Sequence, residues 1–247
     1  MKRTELNIMG MPITVEIRNS KYEIRKVDLG KDIGKVFEYF REVDEKYSPF
    51  KSTSEVGKLN RGEKVSDEMR DILRLAHDLK VETNGYFDIE RPDGRIDPSG
   101  IVKGWAIKNA ADILRKLKYK KFFVDAGGDA EIVGGPWKWG IRNPFNKSQI
   151  VKVLSLNNCG IATSGTYERG QHIYNPITKE TEIPDIVSLT VIGLNIYEAD
   201  KFSTPAFAMG KGGIKFIEKQ KDLEGYMIDK DGVATMTSGF KRYETGR

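Results

Sequence analysis

A carboxylate and two hydroxyls lie close together in the segment that begins at Asp200. If a helix starts there, Thr204 follows Asp200 by one turn, so the two side chains share a face. One carboxylate with a hydroxyl makes a sparse, hard-oxygen site. Such a site suits Mg²⁺, which keeps waters and takes further ligands from substrate phosphates. An aspartate here is also a common helix N-cap, so the segment predicts either a cation site or an ordinary capped helix.

A second segment, Asp97 to Trp105, leads from a turn into a helix and carries a lysine. The free N–H groups and positive dipole end of a helix start suit a phosphate, and Lys103 adds a mobile positive charge. Asp97 could accept a hydrogen bond from a ribose or a ring N–H, and the Gly100 carbonyl could face a cation. The two-glycine frame of a Walker loop is missing. A plain turn before a helix fits the same residues.

Three hydroxyls and a histidine lie between Thr163 and His172. A hydroxyl-rich loop can hold a phosphate, and histidine is the side chain best suited to move a proton near neutral pH. A histidine before a strand is nevertheless more often structural. The other histidine, His77, lies on the polar side of an amphipathic helix, where we expect solvent exposure. Gly127 and Gly128 follow an apolar strand, and a strand-ending turn is the simpler interpretation of that pair.

The hydrophobic pattern supplies the elements that must position these groups. Helical spacing predicts helices over Asp32–Tyr47, from Ser66 to Asn84, from Lys103 to Leu117, and over Asp200–Gln220 with glycine interruptions. Short β runs predict strands at Pro12–Ile17, Phe122–Asp125, Glu131–Val133, Trp139–Arg142, Val151–Leu156, Val187–Ile192, Gly225–Asp229 and Val233–Met236. Helices come early and strands come in runs, which predicts an α+β fold with antiparallel sheet.

The composition bounds the class of protein. Of the 247 residues, 38% are hydrophobic and 31% are charged, which supplies enough apolar material for a core and argues against disorder. The net charge of +5 admits an anionic partner such as nucleic acid. The charges are spread along the chain, however, without the clustered basic stripe and interleaved aromatics of a nucleic-acid-binding module, so we rank that class last.

Cysteine usage and hydropathy exclude further classes. Cys159 is the only cysteine, which rules out an internal disulfide and a cysteine-based zinc site, and we expect it to be a small buried hydrophobe. No apolar stretch is long enough to span a bilayer. The segment Met1 to Met11 lacks the apolar run of a secretion signal. We therefore expect a cytoplasmic protein, with the alternative of an exported protein whose signal has been removed.

Taken together and in this order, the segments resemble the ApbE family, the FAD:protein FMN transferases. The resemblance runs nearly end to end. It is carried by Met9-Gly10, Tyr47-Ser48-Pro49-Phe50, Ser54 to Asn60, Gly85-Tyr86-Phe87-Asp88, Asp97 to Trp105, Asp125 to Asp129, Thr163-Ser164-Gly165, His172 to Pro176, and Ala199-Asp200 with Ser203-Thr204. Three positions depart from the family pattern, namely Met11 for the usual Thr, Asn175 for the frequent Asp, and Pro205 after the metal-site Thr.

The resemblance implies a single domain over residues 1–247 with the ApbE-type α+β fold. It also implies Mg²⁺-dependent transfer of FMN from FAD to a Thr or Ser hydroxyl of a target flavoprotein, with release of AMP. The catalytic residues would be His172, Asp200 and Lys103, and His172 would activate the acceptor hydroxyl. The FAD contacts would be Met9, Phe50, Tyr86, Phe87, Asp88, Asp97, Lys103 and Tyr174. The metal would rest on the Gly100 carbonyl, Asp200, Ser203 and Thr204.

Two related functions fit the same residues. In a hydrolase on this scaffold, water would replace the acceptor and give free FMN and AMP. In a flavin carrier, FAD would bind without turnover. Acceptor choice depends on surface shape near the site, so the sequence leaves these alternatives open.

Overall fold

A computed structural model describes residues 1–18, 26–166 and 173–245 of the protein. Within these ranges eight strands form one antiparallel sheet. In spatial order they are β1 (Lys2–Ile8), β2 (Met11–Ile17), β3 (Phe122–Ala126), β4 (Asp129–Val133), β7 (Cys159–Gly165), β8 (Ile186–Gly193), β9 (Glu224–Asp229) and β10 (Ala234–Met236). A separate antiparallel hairpin consists of β5 (Trp137–Asn143) and β6 (Asn146–Leu156).

The described chain also contains six α-helices. They are α1 (Lys26–Tyr47), α2 (Glu55–Asn60), α3 (Asp67–Glu82), α4 (Ser99–Lys116), α5 (Ile196–Ala208) and α6 (Gly213–Lys219). The predicted α+β class with antiparallel sheet is confirmed. In the part of the chain that the structure describes, no helix combines the length and the apolar character needed to cross a membrane.

Three helices begin earlier than the sequence predicts, and the first of them, α1, begins at Lys26 rather than Asp32. Helix α4 begins at Ser99, where the Asp97 carboxylate accepts the Ser99 N–H at 3.1 Å and its hydroxyl at 2.6 Å. Helix α5 begins at Ile196, because the Asn195 side chain caps it by accepting the N–H of Glu198 at 3.1 Å. Asp200 is therefore not an N-cap, and its carboxylate remains available for other partners.

Several further elements differ from the prediction. Helix α2 and strand β7 are not predicted, and β7 places Thr163 and Ser164 in a strand rather than in the expected hydroxyl-rich loop. The helix predicted over Asp200–Gln220 is divided into α5 and α6, and Gly210 between them adopts a left-handed φ of 60° that favours glycine. Strand β1 is missing from the prediction because polar and charged residues from Lys2 to Glu5 hide its alternation. It nevertheless pairs with β2 at the edge of the sheet, where polar side chains are common.

The sheet buries both of its faces. Alternate residues such as Val124 face a core shared with the helices, whereas Phe123 faces a second core under the β5–β6 hairpin. There the Phe123 ring meets Trp137 and Trp139 edge-on, with ring centroids 5.1 and 5.4 Å apart. Helices α4 and α5 cover the first face and pack against each other, and this pairing positions the candidate site.

Asp125 lies on the hairpin face of β3, two residues after Phe123. Burial raises the pKa of its carboxyl to about 7, although a hydrogen bond from the Gly128 N–H opposes the rise. The folded protein therefore holds a proton that the unfolded chain has already released. The contribution of this protonated carboxyl to the free energy of unfolding is fully present below the unfolded pKa and is lost as the pH rises through about 7.

We expect Asp125→Asn to remove this pH dependence. The wild-type free energy of unfolding should fall between about pH 4 and pH 7 relative to the variant, and by pH 8 the variant should be the more stable by up to about 4 kcal/mol. Urea unfolding at several pH values measures both curves. Parallel curves across this interval would show that Asp125 is ionised in the folded protein at all of these pH values.

Candidate active site

Asp200 forms the centre of the candidate site. It lies in the second turn of α5 and is only 1% exposed, and its Oδ2 accepts the Gly104 N–H of α4 at 2.8 Å. The two residues are 96 positions apart in the chain. The structure therefore brings together the segments Asp97 to Trp105 and Asp200 to Thr204, which the sequence analysis selects independently.

Gly104 permits this close approach of α4 and α5. A Cβ atom at position 104 would lie 2.6 Å from the Asp200 Cβ and 2.8 Å from its Oδ2, closer than van der Waals contact allows. Glycine inside a helix is unfavourable by roughly 0.5–1 kcal/mol relative to alanine. The close helix contact, rather than helix propensity, explains the glycine.

We expect Gly104→Ala to lower the free energy of unfolding by about 1–3 kcal/mol, because the added methyl group must push the helices apart. Gly34→Ala in α1 is the matched control, since a Cβ at Gly34 has no heavy atom within 4 Å. The control should stabilise the protein by roughly 0.5–1 kcal/mol. Urea unfolding compares the two variants, and a stabilising Gly104→Ala would contradict the packing described.

Lys103 is held between two carboxylates. Its ammonium forms an ion pair with Asp129 and lies 3.0 Å from Asp200 Oδ1, and 23% of its side chain is exposed. Burial acts to lower the pKa of Lys103, but attraction to Asp129 and Asp200 outweighs it and raises the pKa. The sequence predicts a mobile charge at this position. The structure instead shows an anchored lysine that stays protonated.

Asp129 is a site residue that the sequence analysis does not select. It begins β4 after the turn of Gly127 and Gly128, which both adopt left-handed φ values as that turn requires. Its Oδ1 accepts the Thr163 N–H of β7 at 2.7 Å, while its Oδ2 pairs with Lys103. The Gly-Gly-Asp segment is the sequence signal for it, although the simpler interpretation as a strand-ending turn is also correct.

The electrostatics of Asp200 follow from its surroundings. Burial raises the pKa of its carboxyl, attraction to Lys103 opposes the rise, and the negative charge of Asp129 adds to it. One lysine and two aspartates with little exposed surface leave this cluster with a formal charge of −1 when all three are ionised. That excess charge can attract a cation.

The hydroxyls next to Asp200 differ in their partners. Ser203 is 1% exposed, and its hydroxyl donates to the Asp200 carbonyl at 3.1 Å and lies 3.0 Å from the Ser164 hydroxyl. Thr204 is partly buried and follows Asp200 by one helical turn. Over the described ranges, no group of three or more His, Cys, Asp or Glu side chains could hold a metal ion. The donor set around Asp200 is accordingly sparse.

Comparison with known proteins identifies the family. The model of the ApbE family matches residues 9–91 and 89–227. The chain belongs to the ApbE family. The FAD:protein FMN transferase of Escherichia coli K12 is 29% identical over 161 residues, which are 60% of this chain and 46% of that protein. The corresponding protein of Haemophilus influenzae is 29% identical over 169 residues, 61% of this chain and 49% of its own.

Solved structures show the same ApbE fold. The flavin transferase ApbE from Vibrio cholerae superposes with a TM-score of 0.83 at 21% identity, covering 98% of this chain and 99% of that one. The ApbE protein from Thermotoga maritima gives a TM-score of 0.85 at 21% identity, covering 100% and 99%. At this identity the likeness establishes the fold. The chain spans about half the length of the curated relatives it matches.

Several positions expected from the ApbE resemblance to contact FAD are tied to the start of α4. Phe87 is buried and packs on Gly100, where a Cβ atom would lie 3.0 Å from the ring. The Tyr174 hydroxyl donates to the Glu90 carbonyl at 2.9 Å, and Arg91 lies 3.4 Å from the Asp97 carboxylate. These contacts connect the loop before α4 with the segment around Tyr174. A flavin contact at each position stays a prediction.

The other expected FAD contacts have fewer links to the cluster. Met9 lies in the β1–β2 turn with a left-handed φ of 54° and is partly buried, as is Tyr86. Asp88 pairs with Lys80 at 2.5 Å. The Phe50 ring is 88% exposed, so its face is free to stack on a planar ligand. Their roles likewise stay predictions.

His172 lies outside the described residues, so its expected role as the base stays a prediction. Asn175, which replaces the frequent ApbE aspartate, accepts the N–H groups of Ile177 at 2.9 Å and Thr178 at 3.3 Å. This side-chain turn explains why an amide oxygen suffices at that position. The expected exposure of His77 and burial of Cys159 are both confirmed.

Proposed function

We propose that this protein transfers the FMN moiety of FAD to a threonine, or serine, hydroxyl of a target flavoprotein and releases AMP. The observation that carries the proposal is the buried contact between α4 and α5, where Lys103 and Gly104 meet Asp200. Membership of the ApbE family supports it, because the matched relatives are named FAD:protein FMN transferases.

The proposed reaction depends on Mg²⁺ held by the Gly100 carbonyl, Asp200, Ser203 and Thr204. Each carboxylate oxygen has two lone pairs, so Asp200 keeps acceptor capacity beyond its contacts with Lys103 and Gly104. The residues supply one carboxylate, two hydroxyls and a carbonyl. This hard-oxygen set fits Mg²⁺, which completes its shell with waters and substrate phosphates.

The reaction exchanges the phosphoanhydride bond of FAD for a phosphoester bond to the acceptor. The acceptor oxygen bonds to the FMN phosphorus, the bond from that phosphorus to the bridging oxygen breaks, and the bridging oxygen leaves with AMP. The metal, when bound, supplies positive charge that offsets the diphosphate and the leaving AMP.

The side chains bind, orient and move a proton. Lys103 stays protonated and adds a fixed positive charge near the diphosphate. Asp200 would orient the other proposed metal ligands. His172 takes the proton of the acceptor hydroxyl, a role that rests on the family resemblance. Phe50 and Tyr174 offer flat surfaces on which the flavin or adenine ring stacks.

The test is to incubate the purified protein with FAD, MgCl₂ and purified candidate flavoproteins. AMP is quantified by chromatography and each acceptor is weighed by mass spectrometry. AMP release with an FMN adduct on the acceptor supports the transferase, and EDTA should abolish both. Free FMN and AMP without an adduct would indicate the hydrolase instead. FAD that binds and stays intact with Mg²⁺ would indicate a carrier.

A further inference from the structure

Asp129 is a buried carboxylate to which the proposed reaction gives no role. It is 3% exposed and touches neither the Ser203 hydroxyl nor the α5 backbone through any hydrogen bond described. Instead it pairs with Lys103, which in turn reaches Asp200. Asp129 therefore reaches Asp200, the side chain that would hold the metal, only through Lys103.

The charges of Lys103, Asp129 and Asp200 explain what this arrangement does. If Lys103 faced Asp200 alone, the two would form a neutral pair, and an incoming cation would have to displace the ammonium. With Asp129 present, one carboxylate compensates Lys103, and the charge of Asp200 remains available. Burial strengthens the effect because water screens these charges poorly.

The geometry fixes Asp129 for this task. The Thr163 N–H of β7 holds one carboxylate oxygen at 2.7 Å, and the neighbouring pair of Ala130 with Ile161 locks β4 to β7. The other oxygen therefore points to Lys103 from rigid sheet backbone. Sites built on such elements hold their groups more precisely than sites on loops.

We propose that Asp129 is a positioning residue that compensates the charge of Lys103 and so leaves Asp200 free to bind the divalent cation. The inference rests on the proposed function, because it presumes Mg²⁺ at Asp200. Outer partners of metal ligands typically change metal affinity or activity by about 10–100-fold when they are replaced, and Asp129 acts on Asp200 through such a partner, Lys103.

The test measures Mg²⁺ binding in Asp129→Asn. The amide oxygen can still accept the Thr163 N–H, but the negative charge is lost. We expect the Mg²⁺ dissociation constant, from calorimetric titration of MgCl₂ into FAD-loaded protein, to rise about 10-fold or more. The Mg²⁺ activation constant for AMP release should rise in parallel, while kcat at saturating Mg²⁺ should change much less. A merely structural role would lower the melting temperature without moving these constants.

Asp125→Asn is the matched control, because Asp125 precedes the same glycine turn and does not pair with Lys103. It should leave the Mg²⁺ constants at wild-type values. If Asp129→Asn does not fold, Asp129→Glu keeps the charge but displaces it by one methylene, and should raise the constant at least about 3-fold. A wild-type constant in whichever variant folds overturns the inference alone. A wild-type protein that binds no Mg²⁺ overturns the proposed function as well.

Discussion

Asp200→Asn lowers the rate of AMP release from FAD by roughly 10³-fold. The substitution keeps the shape of the side chain and an oxygen for the Gly104 N–H, but it removes the only carboxylate among the proposed metal ligands. A bound metal supplies several kcal/mol of charge stabilisation in the transition state, and each 1.36 kcal/mol corresponds to a factor of ten in rate. Initial rates at saturating FAD and varied MgCl₂ measure the effect.

Glu198→Gln is the control for this substitution. Glu198 lies on the same helix, two residues earlier, and its side chain is 34% exposed in an ion pair with Lys201. Surface changes of this kind alter the free energy of unfolding by only about ±0.5 kcal/mol. Glu198 is not one of the proposed metal ligands, so the rate of the variant should stay within about twofold of wild type. FAD affinity should change little in either variant. Normal Mg²⁺-dependent turnover by Asp200→Asn would remove Asp200 from the metal site.

Lys103→Met lowers the free energy of unfolding by about 3–5 kcal/mol. Methionine fills similar space but leaves Asp129 and Asp200 buried without their shared counter-charge. Removing one partner of a buried ion pair has a cost of this size, because an uncompensated charge stays in the interior. Urea unfolding followed by tryptophan fluorescence, with linear extrapolation to water, measures the loss.

Lys108→Met on the same helix is the matched control. Lys108 pairs with Asp112 at 3.1 Å, but its side chain is 37% exposed. Exposed pairs contribute about 0–1 kcal/mol, so this variant should unfold nearly as wild type does. Adding Asp129→Asn to Lys103→Met should recover part of the lost stability, since one unpaired charge disappears. Equal losses of unfolding free energy in Lys103→Met and Lys108→Met would show that water screens the charge of Lys103 as it does that of Lys108.

The sequence by itself determined the elements whose burial follows a regular period. Helix α1 could be predicted because Val36, Phe37 and Phe40 repeat at helical spacing, and all three are fully buried. The sequence also determined the ApbE fold, through ordered segments that the family match confirms. It marked Gly100, Lys103 and Asp200 as candidates, because the residue types suited to a cation or a phosphate can be recognised without coordinates.

Only the tertiary structure decided how these candidates act on one another. It brought Gly104 into contact with Asp200, 96 residues away in the chain. It also placed Lys103 between the carboxylates of Asp129 and Asp200. Burial, counter-charge and close helix approach depend on groups from distant parts of the chain. Local periodicity carries no information about such contacts, which is why the sequence yields the residues of this site but not its charge balance.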